Sequence, residues 1–403
     1  MGVVEVARDP DEAAQTKQVT RTDGSKGAPW SWCDWTCEAL RDSFGRMGES
    51  WAIGLGRRSG QSTMLTLQDL PAFELAVKAK LLHAIPGRAK ALRELRRGDA
   101  TAARLNHTAL QLQVAALGLS LGWWPRLEVL GPRAPVDVVL DTDQGRQLRV
   151  EVCVVPVGDR TAEAMDRNRA LVSLETQVYA VGRDISITGH LGREPTREEV
   201  KRVPGELRAA IDLVASDRRA RRVAVGDAGF LTLSYGAGEA GLQTSWDFDP
   251  RLDPRRLLST LSEKVEQASR SGARWLWVDW RDAHWQLAPW WDQPLTDKAD
   301  KVKHLVAKGV GPTSAFDGVV VTPGPSIGSS GRRDEITTLD DGTVGLCRHL
   351  PMARVREAVV VPLTAEGKSH LAAVVELFQG EPEWLAWALR QLGLPELHEI
   401  TSP

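Results

Sequence analysis

Between residues 105 and 156 the spacing of apolar residues changes period. Leu105, Leu112, Ala116 and Leu119 recur at helical spacing with Gly122 behind them as a stop, so 101–121 reads as an amphipathic helix. The period then shortens to two. Strands follow at 126–130, 136–140 and 147–155, and DTDQGR supplies the Asp and Gly of a tight hairpin connection. Alternation puts Glu151 and Cys153 on one face of the last strand and Leu148, Val150 and Val152 on the other.

The rest of the chain alternates helix and strand without an internal repeat. Residues 30–64 read as a short helix followed by a loop, with Gly54, Gly56 and Gly60 as turn residues, and helices follow at 70–83 and 87–97. Beyond Pro156 the pattern predicts a helix at 162–171, a strand pair at 177–181 and 185–190, and a helix over 195–222 interrupted near Pro204. Strands at 223–225 and 230–235 bracket GDAG. Pro254 opens a helix through Ser271, a position where proline is tolerated, and ARWLWVDW supplies a buried strand at 275–280. An aromatic loop at 281–297, strands at 316–322 and 358–362 around a glycine-rich loop, and a helix at 382–392 complete the chain. Residues 1–28 lack apolar periodicity and read as a disordered tail. This alternation predicts an α/β or α+β fold with one mixed sheet.

Composition narrows the classes without choosing among them. A formal charge of −2 gives no whole-protein attraction to nucleic acid or to anionic membranes, so any such binding rests on a local patch. The basic runs KALRELRRG and RRARR read first as solvated faces. No apolar run is long enough to span a bilayer and the N-terminus has no secretory pattern, which predicts a cytoplasmic protein without membrane partners. Four cysteines are too few for a disulfide framework, and Cys33 and Cys37 lack a second ligand pair for zinc. Fifteen tryptophans against two tyrosines, with Arg-rich and Ala-rich helices, suggest a high-GC bacterial source.

The sharpest chemistry lies on the hairpin. Asp137 precedes Val138, Val139 and Leu140, and Glu151 sits among Val150, Val152, Val154 and Val155, so both strands look buried on both faces. A carboxylate in such a strand needs a partner, and a metal or a lysine is the usual one. Mg²⁺ prefers hard oxygen ligands and keeps waters, so one or two carboxylates leave room for a phosphate oxygen and a nucleophilic water. The competing reading is an edge hairpin with a wet polar face. Asp279, Asp317, His284 among Trp280, Trp285, Trp290 and Trp291, and a backbone nest at 326–331 are secondary candidates, and they leave open an unrelated α/β enzyme with its site around 280–317.

PVDVVL and RVEVCV resemble the PD-(D/E)xK nucleases, in which an Asp on one strand and a Glu or Asp, with a Lys two residues later, on the next strand form the site. The resemblance implies a restriction-endonuclease-like α/β core, a mixed central sheet flanked by helices, with a helical N-terminal region. It also implies Mg²⁺ or Mn²⁺ held by Asp137 and Glu151. Cys153 stands where the family has its lysine, and the preceding helix offers His107, Gln111 and Gln113 where members often place a metal-binding Glu. In some members the lysine has migrated to a later helix, and LLSTLSEKVEQASRSG carries Lys264 and Gln267. At about 100° per residue, Lys264 falls about 20° outside the apolar arc of Leu257, Leu261, Val265 and Ala268.

The organisation that the resemblance implies is a tail at 1–28, a helical region at 29–98, a nuclease-like core at 99–280 with an inserted segment at about 160–250, and a C-terminal α/β extension at 281–403. The implied activity is metal-dependent hydrolysis of nucleic acid in defence or DNA processing, with Asp137, Glu151, Lys264 and Gln267 catalytic. Nucleic acid would be the partner, with room for protein partners or a homo-oligomer. The alternative is the same fold with an eroded site, serving as a nucleic-acid-binding or scaffold module.

Overall fold

The computed structural model describes residues 30–59, 64–98, 101–155, 185–193, 195–236, 241–244, 254–280, 294–311, 315–323, 325–327, 334–352 and 354–401. Expectations for the tail, the helix at 162–171, the strand at 177–181 and residues 281–293 lie outside them. Helix α1 (Trp32–Ser59) replaces the expected short helix and loop. It is two helical stretches joined by a kink at Gly45; Trp32, Leu40 and Phe44 are buried before the kink and Ala52 and Leu55 after it, and this burial outweighs the weak helix propensity of the glycines in the second stretch. Only Gly45 leaves helical geometry, at φ 57° and ψ −127°.

Helices α2 (Leu70–Leu81), α3 (Arg88–Ala91), α4 (Arg93–Arg97) and α5 (Ala102–Ser120) follow, α5 capped by the Thr101 side chain. Strands β1 (Trp124–Leu130), β2 (Pro135–Asp141) and β3 (Gln147–Val155) come next. Then β4 (Ile185–Leu191), α6 (Arg197–Asp217), β5 (Arg221–Ala224), β6 (Gly229–Tyr235) and β7 (Gly241–Thr244) form a second unit. It is a four-stranded sheet of order β5-β6-β4-β7, with its own core of α6 and strand residues such as Leu207, Ile211, Leu231 and Leu233. Helix α6 runs unbroken through Pro204, contrary to expectation, and a Thr196–Glu199 capping box starts it. The RRARR run ends in β5 and not in the helix.

The chain returns through α7 (Arg255–Ser271), β8 (Trp275–Trp280), α8 (Leu295–Val310), β9 (Gly318–Thr322), β10 (Pro325–Ile327), β11 (Glu335–Thr338), β12 (Val344–Leu350) and β13 (Arg354–Pro362). Helices α9 (Ala365–Gln379), α10 (Glu381–Gln391) and α11 (Leu397–Thr401) close it. Helices α8 and α9 and strands β11 and β12 were not expected. Residues 325–327 of the glycine-rich stretch pair with β13 instead of looping.

These elements make a mixed α/β fold. A nine-stranded sheet runs β1-β2-β3-β8-β9-β13-β12-β11, with β10 also on β13. Its centre, β3-β8-β9, is parallel and the other pairings are antiparallel. Alternation splits its apolar residues between two faces. Val138, Val150, Val152, Trp277 and Val320 meet α2, α5, α9 and α10, with Trp277 stacked on Phe378 at 4.6 Å. Val139, Cys153, Leu276, Val278 and Val321 meet α7 and α8. No described helix is long and apolar enough to cross a membrane.

Candidate functional site

The last partner pair of the β2–β3 ladder is Val138 with Val150, so Asp137 is the first residue past the point where the strands part. There its side chain replaces the ladder, Oδ2 accepting the Val152 amide at 2.9 Å. Asp137 Oδ1 turns towards α5, accepting from Gln111 Nε2 at 2.9 Å and facing His107 Nε2 at 3.3 Å. His107 and Gln111 are four residues apart, which puts them on one helix face. The Gln111 amide also donates to Glu128 Oε1 at 2.8 Å, so one NH₂ group ties two buried carboxylates together. Glu128 itself sits in the left-handed region, at φ 50°.

Glu151 is reached from the other side. Helix α7 lays Leu257 and Leu261 into the core and leaves Lys264 at the edge of that stripe, about 20° outside it. Its Nζ donates to Glu151 Oε1 at 2.8 Å and to Gln267 Oε1 at 3.0 Å. The Glu151 side chain is 1% exposed and that of Lys264 is 17% exposed, so this pair is removed from water. The second carboxylate oxygen, Glu151 Oε2, is buried with no hydrogen-bond partner among the described residues.

The two carboxyls are driven apart in acidity. Burial, reinforced by the Asp137 charge, pushes Glu151 up to about 7 despite the pull of Lys264. Burial works in the same sense on Asp137, but hydrogen bonding and charge from His107, the Val152 amide and Lys264 outweigh it and hold Asp137 below its ordinary range. Burial pulls Lys264 down, but the charge and hydrogen bond of Glu151 together with the Asp137 charge outweigh it and hold Lys264 above its ordinary range. Burial pushes the Cys153 thiol up to about 11, so it supplies neither charge nor a hard ligand. One carboxylate is therefore firmly ionised while its neighbour titrates near neutrality, a division that suits acid–base or ion-binding chemistry.

The structure thus groups Asp137, Glu151, Lys264 and Gln267 with His107 and Gln111. Gln113 belongs elsewhere, donating to Glu381 at 3.2 Å. Glu128 escaped the sequence reading, although a lone acid inside LEVL was its visible signal. Asp317 is a structural clamp, gripped by Arg274 at 2.6 and 2.7 Å and by Thr364 at 2.9 Å. Asp279 lines a separate cavity. His284, Trp285, Trp290 and Trp291 lie outside the described residues.

Among the described residues no group of three or more His, Cys, Asp or Glu side chains is arranged as a metal site. Mg²⁺ needs less, since it binds through one or two carboxylates and keeps waters. Asp137 and Glu151 fit that requirement, because both are hard oxygen donors and Glu151 Oε2 is a buried oxygen awaiting a partner. No family model matches the chain, and neither a curated protein nor a solved structure does so.

Proposed function

We propose that this chain is a divalent-metal-dependent nuclease with a restriction-endonuclease-like core, hydrolysing phosphodiester bonds of nucleic acid in the cytoplasm. The observation that carries the reading is the meeting of Glu151 with Lys264, a lysine 113 residues away in sequence, beside Asp137. Asp137 and Glu151 would hold Mg²⁺ or Mn²⁺, which when bound polarises a phosphate oxygen and acidifies a water.

The chain's own residues have separable tasks. Lys264 brings a fixed positive charge from α7 in place of the one missing at Cys153, where it stabilises charge developing on the phosphate. Gln267 orients the Lys264 amine. His107 and Gln111 hold the Asp137 carboxylate in one rotamer and keep it ionised. The test is nicking of plasmid DNA and cleavage of RNA with Mg²⁺ or Mn²⁺, comparing the wild-type chain with Glu151→Ala and Lys264→Met. Loss of about 10²-fold or more in each variant is expected. Equal activity in wild type and Glu151→Ala would remove Glu151 from the mechanism.

A second reading, an eroded nuclease fold that binds nucleic acid or serves as a scaffold, draws on one observation. Both Asp137 oxygens already accept hydrogen bonds, and Lys264 already neutralises Glu151. That reading expects no metal-dependent cleavage and nucleic-acid binding unchanged in Glu151→Gln.

A further inference from the structure

On the other side of α5 from the Asp137 contacts lies a cavity of about 110 Å³, walled by α2, α5, α10, the carboxyl end of β8 and the turn from β12 into β13. Asp279 stands at that end of β8, the place where open α/β sheets gather their ligands. The walls carry three acids, Glu74, Asp279 and Glu381, and three bases, Lys78, Arg354 and Arg356.

Most of these charges are already answered. Arg356 forks onto Glu381 with contacts at 2.8 to 3.1 Å and gives its remaining arm to Thr322 at 3.3 Å. Arg354 donates to Glu74 at 2.7 Å. Asp279 has an interaction of its own, and its Oδ1 is buried without a hydrogen bond among the described residues. Among the bases Lys78 is the exception. Its residue is 9% exposed, yet its ammonium makes no hydrogen bond among the described residues. The closest carboxylate oxygen, Glu74 Oε2, is 3.8 Å off and already shares its carboxylate with Arg354. The face of Trp384, 5.1 Å from Nζ, covers one side.

A buried ammonium without a hydrogen-bonding acceptor is costly, and here it opens onto a space that can hold several heavy atoms. We infer that this cavity is a binding site for a small monoanionic oxyanion, a carboxylate or a phosphodiester group, anchored by Lys78. The three carboxylates on the wall act against a dianion. Burial, with Arg356 and Arg354 nearby, holds Lys78 below its ordinary range against the pull of Glu74 and Glu381, and an incoming anion would act in the same sense as those two acids. The site stands apart from the nuclease reading and does not depend on it.

Saturation-transfer NMR on the full chain tests the assignment with acetate and dimethyl phosphate as probes, each a monoanion with methyl protons. The expected result is transfer to at least one probe, with binding about tenfold weaker in Lys78→Met, the loss of one charge-assisted hydrogen bond. Ala109→Phe, which fills the cavity from α5 and keeps Lys78, should abolish transfer; Lys368→Met, on an exposed turn of α9, should leave it intact. Transfer to acetate alone assigns a carboxylate ligand, and transfer to dimethyl phosphate assigns a phosphodiester such as a nucleic-acid strand. No transfer to either probe in the wild type, or transfer undiminished in both cavity variants, overturns the proposal.

Discussion

Lys264 Nζ lies 2.8 Å from Glu151 Oε1, joining the edge of a surface helix to a strand in the middle of the main sheet. The pair is buried on the Glu151 side, so removing one partner strands the other. Lys264→Met should lower stability at neutral pH by about 3 kcal/mol, less where the orphaned carboxyl takes up a proton instead. Adding Glu151→Gln to Lys264→Met should recover most of that loss. Urea unfolding of the four proteins in a double-mutant cycle reads the coupling; additive losses would mean that the contact is incidental.

Glu151 also sets a pH dependence whose sign follows from its raised acidity constant. The folded state keeps the proton up to about 7 while the unfolded chain releases it near 4.5, so the folded state binds more protons in between. Stability should therefore fall as pH rises through this window, by about 3 kcal/mol from this group. Lys264, held above its ordinary range, contributes stability that is present below its unfolded value and lost only in strong alkali. Asp137 contributes above its unfolded value and loses that contribution only in acid. Between about pH 5 and about pH 8 the difference between wild type and Glu151→Gln isolates Glu151. An identical slope in the two proteins would contradict the burial argument.

The carboxylates could be read from the sequence because a strand buried on both faces has no ordinary place for an acid, and Val138 to Leu140 and Val150 to Val155 announce such strands. Lys264 could be read because helix periodicity fixes its angle to Leu257 and Leu261 without knowledge of the fold. The acid of Glu128 is visible inside LEVL, but its part in the site is not, because that depends on a left-handed backbone at one strand residue and on a glutamine 17 residues earlier turning towards it, and neither leaves a period in the sequence. The buried pairs of Arg354 with Glu74 and Lys298 with Glu357 were hidden for the same reason, since they join residues 280 and 59 positions apart.

Helix α1 shows the limit from the other direction, because Gly54 and Gly56, which suggested a loop, are accommodated in a helix. Only Gly45 has a backbone that side chains resist, and a Cβ there would lie 3.0 Å from the Arg96 carbonyl oxygen. Gly45→Ala should therefore cost about 1–3 kcal/mol. Gly56, in the same helix with nothing within 4 Å of an added Cβ, should gain about 0.5–1 kcal/mol on the same substitution. Chemical denaturation of both variants checks the pair; equal losses would mean that Gly45 is not a required break.

Gln111 is the most informative position for the ion-binding reading. Its amide donates to Glu128 and Asp137 at once, at 2.8 and 2.9 Å, and bridges the two acids from one side while the Lys90 ammonium lies 3.6 Å from the far Glu128 oxygen. Gln111→Glu removes both donors and adds a third negative charge in nearly the same volume. At neutral pH and without divalent ions the variant should lose about 2–4 kcal/mol, the cost of unpaired buried charge. Gln111→Leu removes the donors alone and serves as the uncharged comparison. An ion that binds the folded state stabilises by mass action, so the unfolding midpoint of Gln111→Glu should climb with Mn²⁺ concentration, more steeply than that of the wild type, while Gln111→Leu should gain least. A midpoint that Mn²⁺ moves equally in all three proteins would place the ion away from α5 and separate Asp137 from any metal chemistry.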